Sequence, residues 1–188
     1  MNSIRVQNLR KEEIITAALK VFSENGFENT TMQKIANETG LSKGLLYHYF
    51  SSKKDIVQAC LDWAMEDTQS LMGELERSKG KSIEKLMYFT KSSLSSKRRN
   101  SFKIIQSLIK IDESKNKRYI EQFSQLVEEK LLPIFAEGIM NGEIVNRDPV
   151  KTIDLYLTVL SGLLQEEITW GEEDLNWNTE RLIKIIKN

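Results

Sequence analysis

Apolar residues recur along this chain at intervals of three and four, the spacing that lines one face of an α-helix. Ile14, Ala18, Val21 and Phe22 form the first such face, Ile35 and Ala36 the second, and Leu41, Leu46 and Phe50 the third. A longer run follows through Ile56, Cys60, Trp63, Ala64 and Leu71. No segment keeps the strict alternation of a half-buried strand, and only two prolines and nine glycines punctuate the sequence. The pattern predicts an all-α protein. Helices are expected over residues 10–25, from 32 to the glycine at 40, from 43, and over 53–78, 82–95, 100–111, 116–141, 149–170 and 178–187, with polar turns between them.

Residues 30–53 read as two short helices joined by a tight turn. Thr31 can cap the helix that starts at Met32, and Ser42 the one that follows the turn. Gly40 can take the left-handed conformation that ends a helix without a Cβ clash. Ala36 is small enough to let the second helix cross closely, while Leu41 and Leu46 plug the angle between the two. This is the layout of a DNA-reading helix-turn-helix. Ser52, Lys53, Lys54 and Asp55 then read as a capping box that opens a long fourth helix, and Asp148 with Pro149 as an N-cap followed by proline at the first helical position.

The segment IITAALKVFSENGFENTTMQKIANETGLSKGLLYHYFSSKKDIVQAC resembles the N-terminal domain of the tetracycline-repressor (TetR) family of regulators. The matching elements are Ala17, Ala18 and Phe22, then Asn25, Gly26 and Phe27, Thr30 and Thr31, Ser42 to Gly44, Leu46, Tyr47, Phe50, and Ser52 with Lys53. They cover roughly the first quarter of the chain. The resemblance implies an N-terminal three-helix helix-turn-helix DNA-binding domain over residues 1–52. A C-terminal helical ligand-binding and dimerisation domain would follow over residues 53–188.

A helix entering the major groove presents its first turn to base edges. Lys43 could therefore donate to guanine acceptors, and Gly44 would let the backbone approach the duplex. Tyr47 and His48 lie farther along, and the resemblance implies phosphate or thymine-methyl contacts there, with Thr31 and Lys53 clamping the DNA backbone on either side; Ser42, which opens the helix, and Tyr49 complete the expected DNA-binding set. Leu45 departs from the small or polar residue common in the family and could meet a thymine methyl. Phe50 reads as core. Tyr47 also reads as a half-buried tyrosine whose hydroxyl meets water. Lys53 and Lys54 oppose the dipole at a helix start, which favours a phosphate role over a solvated pair. His48, the single histidine, has no Cys, Asp or Glu at ligand spacing and no paired nucleophile, so no metal, cofactor or enzyme site is expected around it.

Charge changes this picture little, since 27 basic and 27 acidic residues cancel. Residues 1–60 hold eight Lys and Arg against six Asp and Glu. Affinity for DNA would rest on a few placed contacts, with a moderate salt dependence. Roughly 70% of the unfolded chain's surface should be buried at this length, without a disulfide or metal staple. Cys60 has no partner cysteine and sits in an apolar pattern, which fits a buried position in a reducing cytoplasm. No run of about 18 apolar residues exists and no signal peptide is legible, so a cytoplasmic protein with no membrane role is expected.

Residues 149–170 carry two apolar stripes, Ile153, Leu157, Leu160 and Leu164 on one face and Leu155, Val159 and Leu163 on another. One helix buries both only if it is central or shared between subunits. The resemblance implies a homodimer packed through the last two helices, here with Leu157, Leu160, Leu164, Ile168, Leu182 and Ile186 at the interface. Two recognition helices would then meet a palindromic double-stranded operator. Trp63, Met87, Phe102, Tyr119, Phe123 and Tyr156 are candidates for an effector pocket, and equally for ordinary core. Pro133, inside a helical stretch, should free a carbonyl and kink the helix. The function expected is a ligand-responsive homodimeric transcriptional repressor released by a small-molecule effector. An all-helical protein-interaction scaffold is the alternative.

Overall fold

The computed structural model describes residues 2–95, 98, 102, 106, 108–109, 113–145, 148–165 and 171–187, with side chains from residue 9 onward except at 113–116. Its helices are α1 (Asn2–Asn29), α2 (Met32–Thr39), α3 (Lys43–Tyr49), α4 (Lys53–Arg77), α5 (Ser82–Leu94), α6 (Glu113–Met140), α7 (Pro149–Gln165) and α8 (Glu172–Ile186). No strand forms among the described residues, and Ile144 and Lys187 make an isolated antiparallel bridge. The protein is all-α, as its hydrophobic spacing predicts. Of the helix expected over 100–111, Phe102, Gln106, Leu108 and Ile109 are helical and the other positions lie outside the described residues.

The chain divides into two compact units, one of Met1–Ala64 with Ile104–Asn116, the other of Met65–Lys103 with Lys117–Asn188. Helix α4 supplies residues to both.

In the first unit, α1 begins at Asn2, eight residues before the expected start, since no proline or glycine interrupts residues 2–9. Gly26 turns the backbone sharply at φ 72°, ψ 164°, so its expected role as a helix stop is met even though one more helical turn follows it. Ile14, Ala18, Val21 and Phe22 are buried on the inner face of α1. Ile35 and Ala36 from α2, Leu46 from α3, Phe50 beyond it, and Ile56, Cys60 and Leu61 from α4 are buried with little or no exposure.

The second unit centres on α5, α7 and α8, which pack on one another. Their core joins Leu86, Phe89 and Leu94 to Phe135 of α6, to Ile153, Tyr156, Leu160 and Leu164 of α7, and to Leu182, Ile183 and Ile186 of α8. The fully buried Tyr156 keeps its hydroxyl satisfied 2.5 Å from Thr90 Oγ1, and its ring meets Phe135 edge-on at 5.4 Å. Gly138 is needed for this packing, because a Cβ there would lie 2.7 Å from Ile144 Cδ1 and 3.0 Å from Ser82 Cβ. Helix α6 continues through the exposed Pro133, whose missing N–H leaves the Glu129 carbonyl without its helical donor.

Helix α7 starts as expected, with Asp148 Oδ1 accepting the N–H groups of Val150 and Lys151 at 3.1 and 3.2 Å. Helix α8 starts at Glu172 rather than 178, because the Asp174 carboxylate accepts the Gly171 N–H at 3.0 Å and an acidic first turn suits the helix dipole.

Candidate nucleic-acid interface

The local geometry around α2 and α3 follows from four small residues. Thr31 Oγ1 accepts the Lys34 N–H at 3.2 Å and Ser42 Oγ accepts the Leu45 N–H at 3.2 Å, so both helices have side-chain caps. Between them Gly40 sits at φ 68°, ψ 14°, and the Leu41 N–H returns to the Ala36 carbonyl at 3.0 Å. Ala36 and Ile35 are fully buried beneath this turn, Leu46 is fully buried under α3, and Leu41 is half-buried between the helices.

With Leu46 turned inward, the rest of α3 is presented outward. Ser42, Lys43, Gly44 and His48 are exposed, Leu45 is 43% and Tyr47 44% exposed, and Tyr49 is half-buried. Lys43 Nζ lies 6.0 Å from the centre of the Tyr47 ring, and the His48 ring meets Tyr49 edge-on at 5.5 Å. A Cβ at Gly44 would meet nothing within 4 Å. Glycine in a helix interior costs roughly 0.5–1 kcal/mol relative to alanine, and no internal contact requires it here. The outward face thus brings together a cation, a bare stretch of backbone, an aliphatic side chain, a phenol and an imidazole on one short, firmly anchored helix.

The two remaining sequence candidates, Thr31 and Lys53, flank this face. Thr31 is exposed at the start of α2. Lys53 is half-buried, and its ammonium donates to the carbonyls of Phe27 at 2.5 Å and Thr30 at 2.8 Å. Ser52 caps α4, its Oγ accepting the Asp55 N–H at 3.1 Å. The Asp55 carboxylate accepts from the Ser51 hydroxyl, and that bond, followed by one from Ser52, holds its pKa below the usual value. Gln33, absent from the sequence candidates, is exposed at the second position of α2 and donates to Asn37 Oδ1 at 2.8 Å. A polar residue just inside a capped helix was the available signal.

The effector candidates fall in both units. Trp63 belongs to the first unit and is half-buried there. In the second, Tyr119 stacks on Phe123 with ring centres 6.3 Å apart, and Phe102 and Phe123 pack against the core from its edge. Tyr156 is enclosed in that core, and Met87 is exposed on α5. Tyr156 is therefore packing rather than open lining.

The expected dimer residues need correction. Leu160, Leu164, Leu182 and Ile186 are 4%, 7%, 1% and 2% exposed within a single chain, so they are spent on its own core and have no surface left for a second copy. Leu157 is half-buried against that core, and Ile168 lies outside the described residues. The large apolar side chains that remain outward on the described parts of these helices are Val150 and Leu155 of α7 and Trp177 and Ile185 of α8, 57%, 47%, 57% and 50% exposed. Arg181 stacks over Trp177 at 4.4 Å between them. The two-stripe pattern of α7 was legible in the sequence, but which stripe faced inward was not.

Comparisons with known proteins agree with this geometry. Residues 14–60 match the family of bacterial regulatory proteins described as the tetR family. Over 185 residues, 96% of this chain and 90% of the relative, the sequence is 25% identical to an HTH-type transcriptional repressor, AcnR, of Corynebacterium diphtheriae. The fold is shared with a TetR family transcriptional regulator, PfmR, of Thermus thermophilus, with a TM-score of 0.76, 22% identity, and coverage of 91% of this chain and 97% of that one. It is also shared with AibR in complex with isovaleryl coenzyme A and operator DNA, with a TM-score of 0.74, 17% identity and coverage of 95% and 98%. Capped helices, a left-handed glycine turn and an outward recognition face, on a chain that aligns along nearly its whole length with such a repressor, identify residues 14–60 as a helix-turn-helix segment of the kind that the tetR family of bacterial regulatory proteins carries.

Proposed function

We propose that this chain is a ligand-responsive, homodimeric transcriptional repressor that reads a palindromic operator with α3 of each subunit. The observation that carries the reading is the outward face of α3. Lys43, Leu45, Tyr47 and His48 are exposed around a glycine that no internal contact requires, on a helix held from beneath by the buried Leu46. Lys43 supplies a donor for guanine edges, Leu45 an apolar contact for a thymine methyl, and Tyr47 and His48 donors for phosphates. Thr31, Ser42 and Tyr49 border that surface.

Dimerisation runs through the outward faces of α7 and α8, with Leu155, Trp177, Arg181 and Ile185 at the contact. The second unit takes the effector. AibR, which shares the fold, is seen with an acyl-CoA thioester, so isovaleryl coenzyme A is a rational first probe. The protein works in the cytoplasm and carries out no catalysis. No group of three or more His, Cys, Asp and Glu able to hold a metal ion occurs among the described residues, and none of their helices is long and apolar enough to cross a membrane.

The test is selection of duplexes from a random pool by the purified protein at near-physiological salt. The winning sequence is then titrated with the parent, Lys43→Ala and Tyr47→Ala. One palindrome, bound tightly by the parent and weakly by both variants, is the expected result. An unenriched pool, in the presence and absence of added acyl-CoA thioesters, would leave the protein-interaction scaffold as the better reading.

A further inference from the structure

The turn between α1 and α2 turns its carbonyls toward two lysines. Gly26 ends the regular part of α1, and the carbonyls beyond it lack helical donors. Lys34 Nζ donates to the Asn29 carbonyl at 3.1 Å and to Asn25 Oδ1 at 2.8 Å. Lys53 Nζ donates to Phe27 O at 2.5 Å and to Thr30 O at 2.8 Å, and lies 4.0 Å from the centre of the Phe27 ring. A cation at the negative end of one helix, resting on an aromatic face, is electrostatically favoured. The same lysine is the first residue of α4, where the dipole disfavours it. Its contacts with α1 and the following turn offset that cost.

We infer that Lys53 is a positioning residue for DNA reading, not a phosphate contact. Its ammonium ties the first turn of α4 to the backbone immediately before Thr31. It thereby fixes the spacing between the start of α2 and the junction that follows α3. The charge is half-buried and committed to carbonyls inside the domain, so it is not free to neutralise a phosphate. Sequence reasoning placed Lys53 on the DNA because its partners are 26 and 23 positions away.

The inference rests on the DNA-reading function, and the experiment separates the two. Affinity for the palindrome selected by the parent is titrated across a series of salt concentrations for the parent, Lys43→Ala, Lys53→Met and Phe27→Leu. Circular dichroism and thermal melting report folding for each. Lys53→Met is expected to weaken binding by roughly tenfold, the scale of a lost charged hydrogen bond, while the slope of log K against log salt stays at the parent value. Phe27→Leu, which removes no donor, should weaken binding in the same direction at the same slope, and it carries the test if Lys53→Met does not fold. A slope reduced by about one in Lys53→Met, with Phe27→Leu binding like the parent, would overturn the inference in favour of a phosphate contact. A lower melting temperature with the affinity of the folded protein unchanged would overturn it in favour of a purely structural lysine. If the parent selects no duplex, the DNA-reading function itself fails and this inference falls with it.

Discussion

The carboxylate of Glu143, in the loop after α6, accepts the backbone N–H of Ile83 in the first turn of α5 at 3.1 Å, across sixty positions of sequence. The neighbouring Lys81 N–H is taken by Glu84 at 3.0 Å, so two of the donors that every helix start leaves open are satisfied by acidic side chains. The same loop is held from its other side, where the Val145 N–H meets the Ile186 carbonyl at 3.0 Å. Glu143 thus joins the end of α6 to the start of α5. Glu143→Ala should lower unfolding stability by about 1–2 kcal/mol, the usual range for a lost cap or charged hydrogen bond. Glu143→Gln, which keeps an acceptor oxygen, should lose less. Urea unfolding midpoints check both, and equal losses would show that the carboxylate acts through something other than this bond.

Gly44 offers a test in which stability and function move in opposite directions. Nothing lies within 4 Å of a Cβ placed there. Gly44→Ala should therefore stabilise the isolated protein by roughly 0.5–1 kcal/mol, the difference in helical cost between the two residues. If the backbone at Gly44 approaches a duplex, the added methyl group must weaken binding. Thermal melting and duplex titration of the same variant decide it. A stabilised variant that binds as well as the parent would remove Gly44 from the contact surface.

The parts of the fold legible in the sequence are those set by local chemistry. Thr31, Gly40, Ser42 and Asp148 each announce a helix boundary through a side chain or a missing one, and each boundary stands where it was expected. Leu46 and Phe50 also read correctly as buried, because a short helix offers one inward face. What could not be read were relations between distant segments. The Lys53 contacts with the carbonyls near Phe27 and the Glu143 cap on α5 depend on tertiary placement that no periodicity encodes. The two apolar stripes of α7 are a related case, since residue spacing identifies both and ranks neither.

That ranking yields a contrast between two leucines five positions apart on α7. Leu160 is 4% exposed in the core, and Leu155 is 47% exposed. Leu160→Ala should destabilise each chain by about 2–5 kcal/mol through the cavity it leaves. Leu155→Glu should leave the fold intact while dissociating the dimer, and a further Trp177→Ala change should act in the same direction. Light scattering coupled to size-exclusion chromatography, with circular dichroism as the folding control, distinguishes them. A dimer unaffected by Leu155→Glu would move the interface away from this face.

Cys60 sets a pH dependence whose sign follows from its burial. The side chain is fully enclosed in the first unit, and loss of solvent pushes its thiol from 9.0 up to about 12. In the unfolded chain the thiol ionises near its ordinary value, while in the folded chain it keeps its proton. Between these two values the unfolded state binds fewer protons, so unfolding becomes easier as pH rises. The contribution is fully present below the unfolded value and declines by up to about 1.4 kcal/mol per pH unit above it. Cys60→Ala lacks this titration, although it leaves a small cavity. The stability gap between the parent and Cys60→Ala should therefore narrow as the pH is raised from about 8 to about 10. Urea midpoints across that range measure the gap, and a thiol-reactive disulfide should label the native parent far more slowly than the unfolded chain. A constant gap with rapid native labelling would mean that the thiol is accessible and ionises normally, contrary to the packing of α4.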